Sequence, residues 1–226
     1  MSSHARKPNA HAIGLAAEQR PVVVKLGGSV VRSPELEPWL DALASAPCPV
    51  VVVPGGGALA QEVRACQQRL GFGDRAAHRM ALLAMDQLAW AVSGLRPGFE
   101  VGDTEQALRL SLAQGRVAVW APYTLVANRR DIPESWTVTS DSLALWLAAR
   151  LSAARCYLIK SILRKEVQAG AEQLAAEQLA RDGVVDTAFP AMLREAGLPA
   201  ILLGRGDQAA FAASLEGHGS CGATIA

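Results

Sequence analysis

Short unbroken apolar runs punctuate this chain at fairly even intervals. Pro21–Leu26, Pro49–Val53, Arg116–Trp120, Cys156–Lys160, Ala200–Leu203 and Gly222–Ala226 each read as a strand bounded by turn residues. They do not alternate polar with apolar, so both faces of each strand are predicted to be covered. Between them lie stretches with helical spacing: Ser33–Ala46, opened by Ser33-Pro34, then Ala58–Arg69, Arg75–Leu95, Thr104–Ala113, Thr139–Leu151, Glu172–Leu179, Asp186–Ala196 and Asp207–Glu216. Asn128–Glu134 is a polar loop. Strand and helix alternate almost throughout, with no repeat of fixed period and no clean linker. That pattern predicts a three-layer α/β sandwich around a mostly parallel sheet, as a single domain over residues 21–226. Residues 1–20 are rich in Ser, His, Lys and Pro and are expected to form a flexible leader.

Composition narrows the function. Half of the 226 residues are hydrophobic and 19% are charged, enough to build a sizeable core. A formal net charge of +1 gives no basic excess to hold a polyanion, so a nucleic-acid partner is not expected. No apolar run reaches the ~20 residues needed to span a bilayer. The first 20 residues lack the apolar stretch of an export signal, and Cys48, Cys66, Cys156 and Cys221 form no C-x-x-C pair. A reducing cytoplasm is the expected setting, and no metal-ligating set is found. Of 22 basic residues only Lys7, Lys25, Lys160 and Lys165 are lysines. A compact ammonium therefore stands out wherever it occurs.

Four segments carry candidate chemistry. Lys25-Leu-Gly-Gly-Ser29 ends a strand, where the amides of Gly27 and Gly28 can cradle phosphate oxygens and Lys25 can neutralise a transferred phosphoryl group. A strand-end lysine snorkelling beside an ordinary turn explains it equally well. Pro54-Gly-Gly-Gly57 is a second glycine turn before a helix, so Gly55, Gly56 and Gly57 are candidates for a second anion or for a plain flexible turn. Two such turns in one parallel sheet can face one cleft beyond the strand ends. Thr139-Ser140-Asp141 opens a helix. Asp141 either caps it or holds a lysine ammonium by a charge-assisted hydrogen bond, with the hydroxyls of Thr139 and Ser140 beside it. Lys160 ends an apolar strand as Lys25 does. No Walker loop occurs.

These elements, in this order from Pro21 to Ala226, resemble the amino-acid kinase family, which includes acetylglutamate kinase, aspartokinase and uridylate kinase. The resemblance implies a cytoplasmic ATP-dependent phosphotransferase, with ATP and Mg2+ as cofactors, and a homo-oligomer is expected. It makes Lys25 the catalytic lysine and Asp141 its organiser. Gly27, Gly28, Ser29, Thr139 and Ser140 would hold nucleotide phosphates, with Lys160 on the nucleotide side and Gly55–Gly57 facing the acceptor. Ser161–Glu166 departs from the D-V-D-G-V-Y of many relatives, which leaves the adenine side open.

A narrower resemblance concerns Phe72–Gln87, Ala121-Pro-Tyr123, Ser135–Asp141, Val184–Pro190 and the Gly219–Ile225 ending. They are similar to the small kinases of methanofuran biosynthesis, which phosphorylate aminomethyl-furanmethanol phosphate to its diphosphate for one-carbon cofactor synthesis. Such an acceptor carries an anionic phosphate and a cationic amine. Asp74, in the turn just before the predicted helix Arg75–Leu95, and Arg75, His78 and Asp86 on it are the candidate acceptor residues, with Arg79 and Glu62 nearby; each could equally be an exposed side chain, and His78 a satisfied core histidine. The alternatives are a kinase of the same fold for UMP, isopentenyl phosphate or an amino-acid carboxylate, and a storage protein that binds nucleotide without turnover.

Overall fold

The computed structural model describes residues 20–162, 173–219 and 221–226. Among them are the strands β1 (Val22–Leu26), β2 (Val50–Pro54), β3 (Phe99–Gly102), β4 (Val117–Trp120), β5 (Arg155–Ile159), β6 (Gln173–Leu174), β7 (Ala200–Leu203) and β8 (Ala223–Ile225). They form one sheet in the order β3-β4-β2-β1-β5-β7-β8-β6. Every pairing is parallel except that of β7 with β8. The described helices are α1 (Leu36–Ala44), α2 (Gly57–Leu70), α3 (Asp74–Leu95), α4 (Glu105–Ala113), α5 (Tyr123–Val126), α6 (Ser140–Arg150), α7 (Ala176–Arg181), α8 (Phe189–Ala196) and α9 (Gln208–Leu215).

Strand parity decides which side chains meet which layer, because successive residues point to opposite faces. Val23, Val51, Val53 and Leu158 face a core shared with α3, α4, α6 and α8. Val22, Val24, Leu26, Tyr157 and Ile159 face the other core, built with α1 and α9. There Phe211 sits edge-on to both Trp39 and Tyr157, with ring centroids 5.8 and 5.0 Å apart. Both faces are thus covered, and the chain is the three-layer α/β sandwich that its apolar runs predict.

Three local expectations change. β3 carries Glu100 and ends in a glycine, so it is no apolar run; it lies at the sheet edge, where half-cover suffices. In the predicted helix Glu172–Leu179, Glu172 lies outside the described residues, Gln173–Leu174 is a strand, and the helix starts at Ala176. The helix expected from Asp186 starts only at Phe189, because Asp186 is turned toward α6. Of the expected leader, residues 1–19 lie outside the described part. Arg20 is tied down, donating to the carbonyls of Ser152 and Ala153 at 2.9 and 2.8 Å.

Candidate active site

Parity also brings the two strand-end lysines together. Lys25 follows Val23 on the α6 side of β1, and Lys160 follows Leu158 on the same side just past β5, the strand beside it. The order of strands reverses at this point, since β2 lies on one side of β1 and β5 on the other. The first turn of α6 sets Asp141 between them. Lys25 Nζ lies 2.8 Å from Asp141 Oδ1, and Lys160 Nζ lies 2.7 Å from Oδ2. Lys25 and Asp141 are each only 4% exposed, so they form a buried ion pair and not a solvated one.

Burial opposes a charge on Asp141, but the ammonium groups of Lys160 and Lys25 outweigh it and hold its pKa at about 2. Burial likewise pushes Lys160 down, as does Lys25, while Asp141 pulls it back; the result is about 8. The cluster sets two lysine side chains against one carboxylate. The surplus positive charge, held where water is scarce, suits an anion that arrives by the open side.

The two glycine turns meet above this cluster. A Cβ on Gly28 would lie 2.5 Å from Gly57 Cα and 2.6 Å from its nitrogen, so neither loop leaves room for a side chain at Gly28. Gly57 has φ +55°, in the region that disfavours other residues. Gly27 donates its N–H to Ile159 O at 2.9 Å, fastening the β1 loop to the end of β5. Ser29 Oγ and Ser161 Oγ share a hydrogen bond of 2.7 Å across the same gap. An open groove is lined by Gly28, Ser29, Arg32, Gly55–Gly57 and Ser140.

What fixes Asp141 lies far along the chain. The Asp186 carboxylate accepts from the Thr139 N–H (2.9 Å), the Thr139 hydroxyl (2.8 Å) and the Ser142 N–H (3.1 Å), and also from the Ser142 hydroxyl. This is helix capping by a distant residue. It leaves Asp141, the residue expected either to cap α6 or to hold a lysine, free to face the lysines. Burial and the charge of Asp141 raise the Asp186 pKa, against the pull of the Ser142 and Thr139 donors. The Ala188 N–H donates to Thr137 O at 3.0 Å and reinforces the same link.

Beside the glycine turns, between α2, α3 and the start of α6, lies a cavity of about 110 Å3. Gly56, Gly57, Thr139, Ser140 and His78 line it, with Arg64, Trp136 and the apolar Leu82, Met85 and Leu143. No carboxylate is among the described residues that do. His78 is buried, and burial lowers its pKa against the pull of Glu134, so the imidazole is neutral at pH 7. Asp74, Arg75 and Asp86 do not reach this cavity. Asp74 accepts from Gln67 Nε2 at 2.8 Å, while Arg75 and Arg79 both pair with Glu134 at 3.2 Å. Asp86 accepts the Tyr123 N–H at 3.1 Å and so serves α5. Nothing local in the sequence marks Arg64, Trp136 or Asp186 as site residues. Trp136 and Asp186 sit inside the Ser135–Asp141 and Val184–Pro190 segments quoted above, but long-range contacts alone give them their roles.

Asp86 makes a separate prediction. Burial raises its pKa to about 6, helped by Asp103 and opposed by the Tyr123 N–H. Its folded pKa therefore exceeds the unfolded value near 4, and the native state binds more protons between those limits. Stability from this group is present at low pH and lost as pH rises toward 6. Asp86→Asn keeps an oxygen for the Tyr123 N–H, so its Tm should fall less than wild type between pH 4 and 6. A parallel fall in both proteins, measured by thermal unfolding, would refute the assignment.

Comparison with known proteins agrees with this fold. The model of the amino acid kinase family matches residues 20–162. The chain belongs to that family and is an ATP-dependent phosphotransferase. It is 26% identical, over 76% of its own length and 82% of the relative's, to the [5-(aminomethyl)furan-3-yl]methyl phosphate kinase of Methanocaldococcus jannaschii. In fold it is similar to the uridylate kinase of Archaeoglobus fulgidus, with a TM-score of 0.68, 18% identity and coverage of 91% of this chain and 99% of that one. The aspartate kinase of Synechocystis aligns with a TM-score of 0.62 and 15% identity, over 81% of this chain and 37% of its own. No described helix is long and apolar enough to cross a membrane.

Proposed function

We propose that this kinase transfers the γ-phosphoryl group of ATP to the phosphate of a small monoester, [5-(aminomethyl)furan-3-yl]methyl phosphate, as a step in one-carbon cofactor synthesis of the methanofuran type. The observation that carries the phosphoryl-transfer reading is the Lys25–Asp141–Lys160 cluster beside two touching glycine turns. The relative from Methanocaldococcus jannaschii supports the acceptor. The residues fit a polyphosphate: two ammonium groups, backbone amides without side chains in the way, and the Ser29 hydroxyl. Both oxygens of Asp141 already face lysines, so Mg2+ would be held by the phosphates, bringing added positive charge to the transferred group.

In this reading Asp141 holds the two lysine side chains in place. Lys25 and Lys160 meet the negative charge spread over the phosphoryl oxygens in the transition state. An oxygen of the acceptor's phosphate attacks the γ-phosphorus in line. The bond to the bridging oxygen breaks, and the electron pair leaves with ADP. The attacking oxygen is already anionic, so no general base is required, and a neutral His78 is consistent with a binding wall. The test is ADP formation with the furan phosphate, UMP, isopentenyl phosphate and acetylglutamate in parallel. The furan phosphate should give the highest kcat/KM. Efficient turnover of UMP or acetylglutamate, with none of the furan phosphate, would overturn the acceptor.

A further inference from the structure

The Arg64 guanidinium lies over the ring of Trp136, with Cζ 3.9 Å from the ring centroid. The ring is held at its edge. Its Nε1–H donates to Gln67 Oε1 at 2.6 Å, and Gln67 Nε2 donates to Asp74 Oδ1 at 2.8 Å. Asp74, Gln67 and Trp136 thus form a relay that sets the plane on which Arg64 rests. No carboxylate pairs with Arg64 among the described residues, whereas Arg75 and Arg79 on the neighbouring helix are both matched by Glu134. A stacked guanidinium with a free N–H edge is suited to take a phosphate in the plane of the fork.

Its location says which phosphate. Arg64, Trp136 and Thr139 line the acceptor cavity, and they also line a second groove that holds Asp141 and Lys160. Arg64 therefore stands where the cavity opens toward the lysine cluster. An acceptor whose organic part fills the apolar cavity can pass its phosphate through this junction toward the lysine cluster, with Arg64 beside it.

We propose that Arg64, stacked on Trp136, is the specificity-determining residue that holds the acceptor's own phosphate and selects phosphate monoesters over the corresponding alcohols. This rests on the reading that the acceptor carries a phosphate. Arg64 is exposed on α2, so its replacement leaves the core intact. The experiment uses the full chain as wild type, Arg64→Ala, Arg64→Lys and Trp136→Leu. Each is assayed with ATP against the furan phosphate, UMP and isopentenyl phosphate, and against the phosphate-free furan alcohol. For whichever phosphate wild type uses, Arg64→Ala should raise the acceptor KM roughly ten- to a hundredfold, the scale of a lost charged hydrogen bond. The KM for ATP should stay within about twofold, Arg64→Lys should recover only part of the loss, and Trp136→Leu should cost about fivefold. An unchanged acceptor KM in Arg64→Ala, or a loss that falls on ATP instead, overturns the assignment while the kinase reading stands. If wild type turns over none of the phosphates, or prefers the alcohol, the acceptor reading fails first, and the role of Arg64 falls with it.

Discussion

Asp141→Asn is expected to lower kcat by two or more decades and to destabilise the protein as well. The two effects share one cause. Each oxygen of Asp141 meets a lysine ammonium, and Lys25 and Asp141 are themselves buried. An amide removes the negative charge and leaves two buried like charges facing each other. Breaking a buried ion pair from one side costs about 3–5 kcal/mol. If capping were the residue's role, Asn would serve as well as Asp and stability would hold; here Asp186 does the capping. Lys25→Ala should show a comparable loss in kcat, because it removes one of the two charges proposed to meet the phosphoryl group. Folding and chemistry are separated by the double variant Asp141→Asn/Lys160→Met. It drops one of the two stranded cations, so its unfolding midpoint in urea should recover, but its kcat should not. Wild-type turnover in Asp141→Asn would sink the assignment.

The second large effect is expected at Asp186, which touches neither lysine. Asp186→Ala leaves two N–H groups and two hydroxyls at the start of α6 without their acceptor. The lost cap and the unpaired donors together cost about 2–4 kcal/mol. Asp141 rides on the turn so released. A displacement of about 1 Å at a reacting centre can cost a hundredfold in rate. A positioning role predicts that kcat falls while the KM values for ATP and acceptor hold, and that Asp186→Asn, which keeps one accepting oxygen, lies between. A loss confined to stability, with full kcat in the folded protein at low temperature, would reduce Asp186 to a structural cap.

Much of this arrangement is written locally. Unbroken apolar runs specify a doubly covered parallel sheet, and the counts Val23 to Lys25 and Leu158 to Lys160 place both lysines on one face. The scarcity of lysine made those two conspicuous. What is not local was not legible. Asp186 reads as a helix start because its partners lie some 45 residues earlier, and no periodicity reports that. The candidate acceptor residues show the limit differently. His78 and Met85 are seven residues apart, within about 20° on a helix of 100° per residue, and both line the cavity. Asp86 is one residue further, about 80° round from His78, and faces α5 instead. Helical spacing shows which residues share a face, but not which face a neighbouring loop will cover. Arg75 and Arg79 were likewise open to an acceptor until Glu134, from a polar loop, matched them both.

The most direct test of the central claim is the product itself, followed by 31P NMR. The wild-type chain is mixed with MgATP and [5-(aminomethyl)furan-3-yl]methyl phosphate. The γ-phosphate signal of ATP should decay as ADP and the coupled pair of resonances of a new diphosphate monoester appear, and Asp141→Asn should slow this by two or more decades. ATP that persists unchanged, or that yields only inorganic phosphate while the acceptor's single resonance stays intact, would contradict the claim.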